Sequence, residues 1–121
     1  MDNPSEWYFH IAIKANDNAA TSPWFVLGGG GTANNEAMFA LGPVDVYAEG
    51  RNEYIKTMGN FTRDGKWNSI EFSIASLKAA YPATNANFAY SDAVTNANLF
   101  AWLFGGAPNT LDIDAIFIYK K

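Results

Sequence analysis

Apolar and polar residues alternate along 7–14, Trp7-Tyr8-Phe9-His10-Ile11-Ala12-Ile13-Lys14, placing Trp7, Phe9, Ile11 and Ile13 on one side and Tyr8, His10, Ala12 and Lys14 on the other. A period of two is the mark of a β-strand with one buried face. Turn-forming residues fill 15–23, and a short β-prone run, 24–27, ends at four consecutive glycines, Gly28 to Gly31. The same grammar predicts strands over 37–41, 44–48 and 53–58, each bounded by Gly, Pro or Asn. Asp64-Gly65 favours a tight hairpin across 60–67, after which Ile70, Phe72 and Ile74 alternate with Ser69, Glu71 and Ser73. One helical turn is predicted at 76–81, with Ser76 as its cap and Pro82 as its stop. An Asn-, Ala- and Thr-rich connection, 83–98, leads to two strongly apolar runs, 99–104 and 113–119, that suit strands buried on both sides or nearly so.

Short strands with turn signals at intervals of about ten residues predict an all-β fold, an antiparallel jelly-roll-like β-sandwich with one short helical turn. The chain of 121 residues, 49% of them hydrophobic, is expected to form a single domain over 1–121. Charge narrows the partners. Eight Lys and Arg against 12 Asp and Glu give a net charge of -4 with no basic stripe, which disfavours nucleic acid. No apolar run approaches the roughly 20 residues of a membrane-spanning helix. Residues 1–6 lack the basic start and apolar stretch of a secretory signal, as expected of a cytosolic protein or of an excised mature domain. There is no cysteine and one histidine, His10, so disulfides, thiolate sites and multi-histidine metal sites are out of reach.

The candidate chemistry is thin. The glycine run lacks the lysine and the helix that a phosphate-binding loop needs, since Gly31 is followed by Thr32-Ala33-Asn34-Asn35-Glu36. Its expected role is a flexible connection. In Leu111-Asp112-Ile113-Asp114-Ala115-Ile116-Phe117 two aspartates share one strand face about 7 Å apart. The stretch resembles the carboxylate-bearing strand of jelly-roll glycosidases, but Ile116 and Phe117 stand where its third carboxylate belongs. Catalysis through Asp112, Asp114 or Glu71 is therefore disfavoured, and the chain is read as a non-enzyme. Like charges on one strand face repel unless water or a cation intervenes, so Asp112 and Asp114 are candidate ligands for a structural calcium; solvated edge charges are the plainer account.

Aromatic residues carry the strongest signal, with 4 Trp and 6 Tyr in so short a chain. Buried Trp and Tyr need partners for their polar atoms, so a small core hides only some of them. An exposed ring offers a flat apolar surface to the C–H face of a sugar. Trp24, beside the glycines, and Trp102, within 99–104, are the preferred platforms. His10, Arg51 and Glu53 with Tyr54 supply groups to bond hydroxyls.

Taken together, Tyr8-Phe9-His10-Ile11-Ala12-Ile13-Lys14, then Phe61-Thr62-Arg63-Asp64-Gly65-Lys66-Trp67 leading into 70–74, then Phe104-Gly105-Gly106 and 111–119, resemble the carbohydrate-binding sandwich modules of surface glycan-binding proteins and glycosidases of Bacteroidetes. The resemblance implies a non-catalytic, extracellular or cell-surface module, monomeric within a larger protein, that holds a plant or microbial polysaccharide. The alternative expectation is an adhesion or assembly domain that uses the same aromatic surface against protein.

Overall fold

The computed structural model describes residues 3–17, 20–28, 36–48, 53–80, 100–103 and 110–121, and for Gly28, Glu36, Glu53 and 100–103 the backbone alone. After a 3-10 turn at Pro4–Glu6 come β1 (Trp7–Ala15), β2 (Trp24–Gly28), β3 (Glu36–Ala40), β4 (Val46–Ala48), β5 (Glu53–Ile55), β6 (Asn68–Ser73), helix α1 (Ile74–Ala80), β7 (Phe100–Leu103) and β8 (Leu111–Lys120). The fold is mostly β, with antiparallel strand pairs and one helix. A first sheet has the order β6-β1-β8, a second the order β3-β2-β7, and β4 pairs with β5.

The alternation of β1 does what its period predicts. Phe9, Ile11, Ile13 and Ala15 are buried, while Tyr8, His10, Ala12 and Lys14 lie half-buried on the opposite face. Phe9 and Ile11 pair in register with Phe72 and Ile70 of β6, so apolar positions on adjacent strands fall on the same face. These side chains join Phe25 and Leu27 of β2, and Ala37 and Phe39 of β3, in one buried cluster. At its centre Phe39 lies 5.2 Å from Phe9, 5.4 Å from Phe25 and 5.1 Å from Phe72, ring centre to ring centre. Helix α1 contributes Ile74 and Leu77 to the same cluster.

The second sheet is covered on its other face as well. Val26, Met38 and Ala40 meet Ala48 and Ile55 of the β4–β5 hairpin, with Trp24 and Ala80 packed against them. The hairpin is tied to the sheet edge through Ala40, whose N–H donates to the Lys56 carbonyl and whose carbonyl accepts from the Met58 N–H, both at 2.9 Å.

Three local expectations change. The hairpin expected across 60–67 does not form, because β6 pairs with β1 and 59–63 carry no strand. Asp64-Gly65 does turn, with Gly65 at φ +76, but the Gly65 N–H donates to the Ala15 carbonyl at 2.9 Å, and the Asn68 side chain instead bridges the arms to the Thr62 and Lys66 carbonyls. The helix begins at Ile74, and Ser73, not Ser76, caps it, its hydroxyl accepting from the Ser76 N–H at 3.0 Å. The run 113–119 is expected to be buried on both sides or nearly so, yet Ile116 and Phe117 are exposed, as is Asp114. Strand β8 lines the edge of its sheet among the described strands, so only its inward side chains reach the core.

Candidate functional site

The outer face of the first sheet is where exposed rings and polar groups gather. β1 supplies its middle row, Tyr8, His10, Ala12 and Lys14; β6 flanks it with Glu71 and Ser69, and β8 with Tyr119, Phe117, Asp114 and Asp112. The position of Phe117 depends on a bulge. In β8 His10 pairs with Phe117 and Ala12 with Asp114, so Ala115 and Ile116 together oppose Ile11 alone. Ala115 takes φ +51, a left-handed conformation rare outside glycine, and the Asp114 carboxylate accepts its N–H at 2.7 Å. The extra residue reverses the alternation. Leu111 and Ile113 before it and Ile118 after it all pack on the core, and Phe117 and Tyr119 share the outer face with Asp112 and Asp114.

On that face the His10 and Phe117 rings stack, 4.6 Å apart and 14° from parallel. Phe117 lies 5.7 Å from Tyr119, and Tyr119 lies 6.1 Å from Tyr8. Phe117 is 46% exposed, a wide flat ring offered to solvent at the edge of this group. Glu71 reaches across from β6, accepting hydrogen bonds from the Tyr119 hydroxyl and the Lys121 ammonium, with His10 Nδ1 at 4.0 Å. The Lys121 ammonium hydrogen bond, followed by that of Tyr119, holds the Glu71 carboxyl below its ordinary range. The same bond to Glu71 raises the Tyr119 phenol and the Lys121 ammonium. Lys121 also sits 4.1 Å above the Tyr8 ring.

A second ring stands at the other end of the face. Lys14 Nζ lies 4.9 Å from the centre of the Trp67 ring, just before β6, and 3.2 Å from Asp112 Oδ2 of β8, so one ammonium bridges the two sides of β1. Trp67 is 51% exposed. From the His10 row to the Lys14 row is four residues of β1, about 13 Å at strand rise. Between them lie Ala12, Ser69 and Asp114, whose short side chains leave the middle of the face low.

Compared with protein families, curated proteins and solved structures, this chain matches none.

The structure distributes the expected site residues widely. His10 is at the centre of the outer face. Trp24 is half-buried against the second cluster, on the second sheet. Trp102 holds the register position opposite Phe25, and its side chain lies outside the described residues, as does that of Glu53 in β5. Arg51 also falls outside them. Tyr54 is 63% exposed and pairs in register with Tyr47, their rings 5.0 Å apart, which makes a separate aromatic step on the β4–β5 hairpin. The glycines Gly29 to Gly31 lie outside the described residues too.

Asp112 and Asp114 share a face as expected, but each has a partner of its own, Lys14 for the first and the Ala115 amide for the second. Among the described residues no group of three His, Asp or Glu side chains gathers. Calcium takes about six to eight oxygens, more than these two carboxylates supply by themselves. Phe117 and Trp67 are the rings that sequence reasoning passed over. Trp67 follows Asp64-Gly65, where no alternation gives it a face, and Phe117 falls in the run 113–119, whose pattern suits a strand buried on both sides or nearly so.

Proposed function

We propose that the two sheets form a jelly-roll-like β-sandwich and that this domain binds an oligosaccharide or polysaccharide, without catalysis, on the outer face of its first sheet. The observation that carries this reading is the pair of exposed rings, Phe117 beside His10 and Trp67 beside Lys14, two outward rows apart on one sheet face, with hydrogen-bonding groups between and around them. Rings present flat apolar surface to the C–H faces of sugars, and Glu71, Asp112, Asp114 and Ser69 meet hydroxyls. Neutral ligands gain little from the ion pairs, so binding should be weakly dependent on salt. The place of such a domain is outside the cell or at its surface, as one module of a larger protein. Retention on affinity gels cast with glucans, xylans, mannans and pectins tests this; silence across the whole panel removes it.

A second reading, adhesion or assembly through protein contacts, draws on Ile116 at 38% and Val44 at 48% exposure, aliphatic groups with no stacking face to offer a sugar. Light scattering over a concentration series separates the two, since self-association needs no glycan.

A further inference from the structure

Beyond the Lys14 row the outer face runs into a cleft of about 310 Å³, lined by Lys14, Asn16, Asp17, Gly65, Thr110 and Asp112. Its walls are pinned. On one side the Asp64-Gly65 turn is fastened by the Gly65 N–H to the Ala15 carbonyl. On the other, the Thr110 N–H donates to the Asp17 carboxylate at 2.8 Å, and Asp17 is itself held by Arg63, which donates in turn to the Thr21 carbonyl at 3.1 Å. The Asp17 and Arg63 side chains are each only 11% exposed, so this clasp is sheltered from solvent and its geometry is stiff.

Three properties define the occupant. Size comes first: the volume sits at the lower end of the roughly 300–1,000 Å³ of small-molecule pockets, room for a ring or two rather than a passing chain. Charge comes second. Within the lining Lys14 faces Asp112, and Asp17 is paired with Arg63 from outside it, so each charged group has a counter-charge and a neutral, hydroxylated guest fits better than an ion. Position comes third, because Lys14 touches both the cleft and the exposed Trp67 ring, and one guest therefore meets a stacking surface at the rim and hydroxyl partners inside, with Asn16 and Thr110 adding neutral donors and acceptors.

We infer that this cleft receives a terminal pyranose, the last unit of a chain or of a branch, so that the domain recognises glycan ends while the sheet face holds the units that follow. This rests on the sheet-face reading above and narrows it to ends. The experiment uses a polysaccharide retained by the protein, taken from neutral glucans, xylans and mannans, before and after limited endo-hydrolysis that multiplies chain ends tenfold at constant mass. Binding is followed by titration calorimetry. The half-saturating mass concentration is expected to fall about tenfold after hydrolysis, and the free monosaccharide is expected to compete.

Unchanged affinity per mass, with no competition by monosaccharide, overturns the inference and leaves the sheet-face reading standing. Absence of binding to every polysaccharide and oligosaccharide overturns both. Thr110→Trp and Asn16→Trp each fill the cleft from an exposed position; whichever melts like the parent should lose the preference for hydrolysed glycan. Retention of that preference with the cleft filled also counts against the inference. Phe117→Ala, remote from the cleft, should weaken binding to intact and hydrolysed glycan alike.

Discussion

Phe117 lies flat against His10, ring centres 4.6 Å apart, on adjacent strands of the first sheet. The stack fixes the Phe117 ring in one orientation while 46% of it stays exposed, so its outer surface is presented without the entropy loss of ordering a free side chain. Phe117→Ala should therefore weaken glycan retention roughly tenfold, about 1.4 kcal/mol, while Phe117→Trp preserves it. Affinity electrophoresis measures the first, and a melting curve within a few degrees of the parent shows that the loss is not unfolding.

Trp24 and Trp67, two of the indoles described in full, should behave oppositely. Trp67, half in solvent, is expected to lose retention on replacement by Ala with little change in stability. Trp24 packs against the buried cluster that holds Val26, Met38 and Ile55, and Trp24→Ala should lower stability by about 2–4 kcal/mol, since a large ring leaves a cavity behind. Urea denaturation of both variants beside their glycan titrations gives the answer, and the reverse pattern would move the site to the second sheet.

Ala115 carries backbone strain at φ +51. Ala115→Gly should equal or exceed the parent in stability, because glycine adopts this conformation freely although it also loosens the unfolded chain. Ala115→Val should lose about 1–3 kcal/mol, the β-branch being least compatible with positive φ. Chemical denaturation ranks the three, and a ranking with Val above Gly would mean that the bulge is absent.

Acid should act through Glu71. Its carboxyl is held below the ordinary value of 4.5, foremost by the Lys121 ammonium and then by the Tyr119 hydroxyl. A depressed folded-state value means that the unfolded chain takes up protons first as pH falls. The stabilisation is thus complete above pH 4.5 and is lost as pH drops below it through the folded value. Melting temperature followed from pH 7 to 3 should fall more steeply below 4.5 in the parent than in Glu71→Gln. Parallel curves would show that the Glu71–Tyr119–Lys121 group is without effect on stability.

Gly42 leaves no room for a side chain. At φ +150 a Cβ there would stand 2.5 Å from Ser22 Oγ and 2.9 Å from Ser22 Cα. Ser22 is fully buried, its hydroxyl donating to the Val44 carbonyl at 2.6 Å and accepting the Val44 N–H at 3.1 Å. Ser22→Ala should cost about 1–3 kcal/mol through the unpaired Val44 groups. Gly42→Ala should cost as much or more, and the double variant should not be rescued, because the backbone clash with Ser22 Cα persists. Rescue in a double-mutant cycle would contradict that geometry.

Much of the fold could be read from local pattern. Trp7 to Lys14 alternates cleanly, and its inner residues are the buried ones. The strands at 24–27 and 37–41 were legible from β-prone residues between Gly, Pro and Asn, and they form within a residue of where those signals put them. Asp64-Gly65 was read correctly as a turn and wrongly as a hairpin, because a turn signal says nothing of which strand the following segment will pair with. Ile70 and Phe72 found better apolar partners in Ile11 and Phe9 than 60–63 could supply.

The candidate site was legible only in part. His10 stood out as a polar residue on the less apolar side of a strand, and it does sit at the centre of the outer face. Phe117 was hidden because strict alternation from Asp112 and Asp114 carries 116 and 118 to the outside. The bulge at Ala115 moves 117 and 119 there instead.

Composition and period-two patterning alone determined that this chain is β-rich, which residues of β1 face inward, and that it holds more aromatic surface than its core conceals. These are properties of single segments, set by side-chain chemistry and backbone propensity. The neighbours of β1, the face taken by the aromatics of β8, and the cleft closed by Asp17, Gly65 and Thr110 were decided only in three dimensions. Each depends on hydrogen bonds and packing between residues distant in the chain, where one extra residue in a strand is enough to turn a ring from core to solvent.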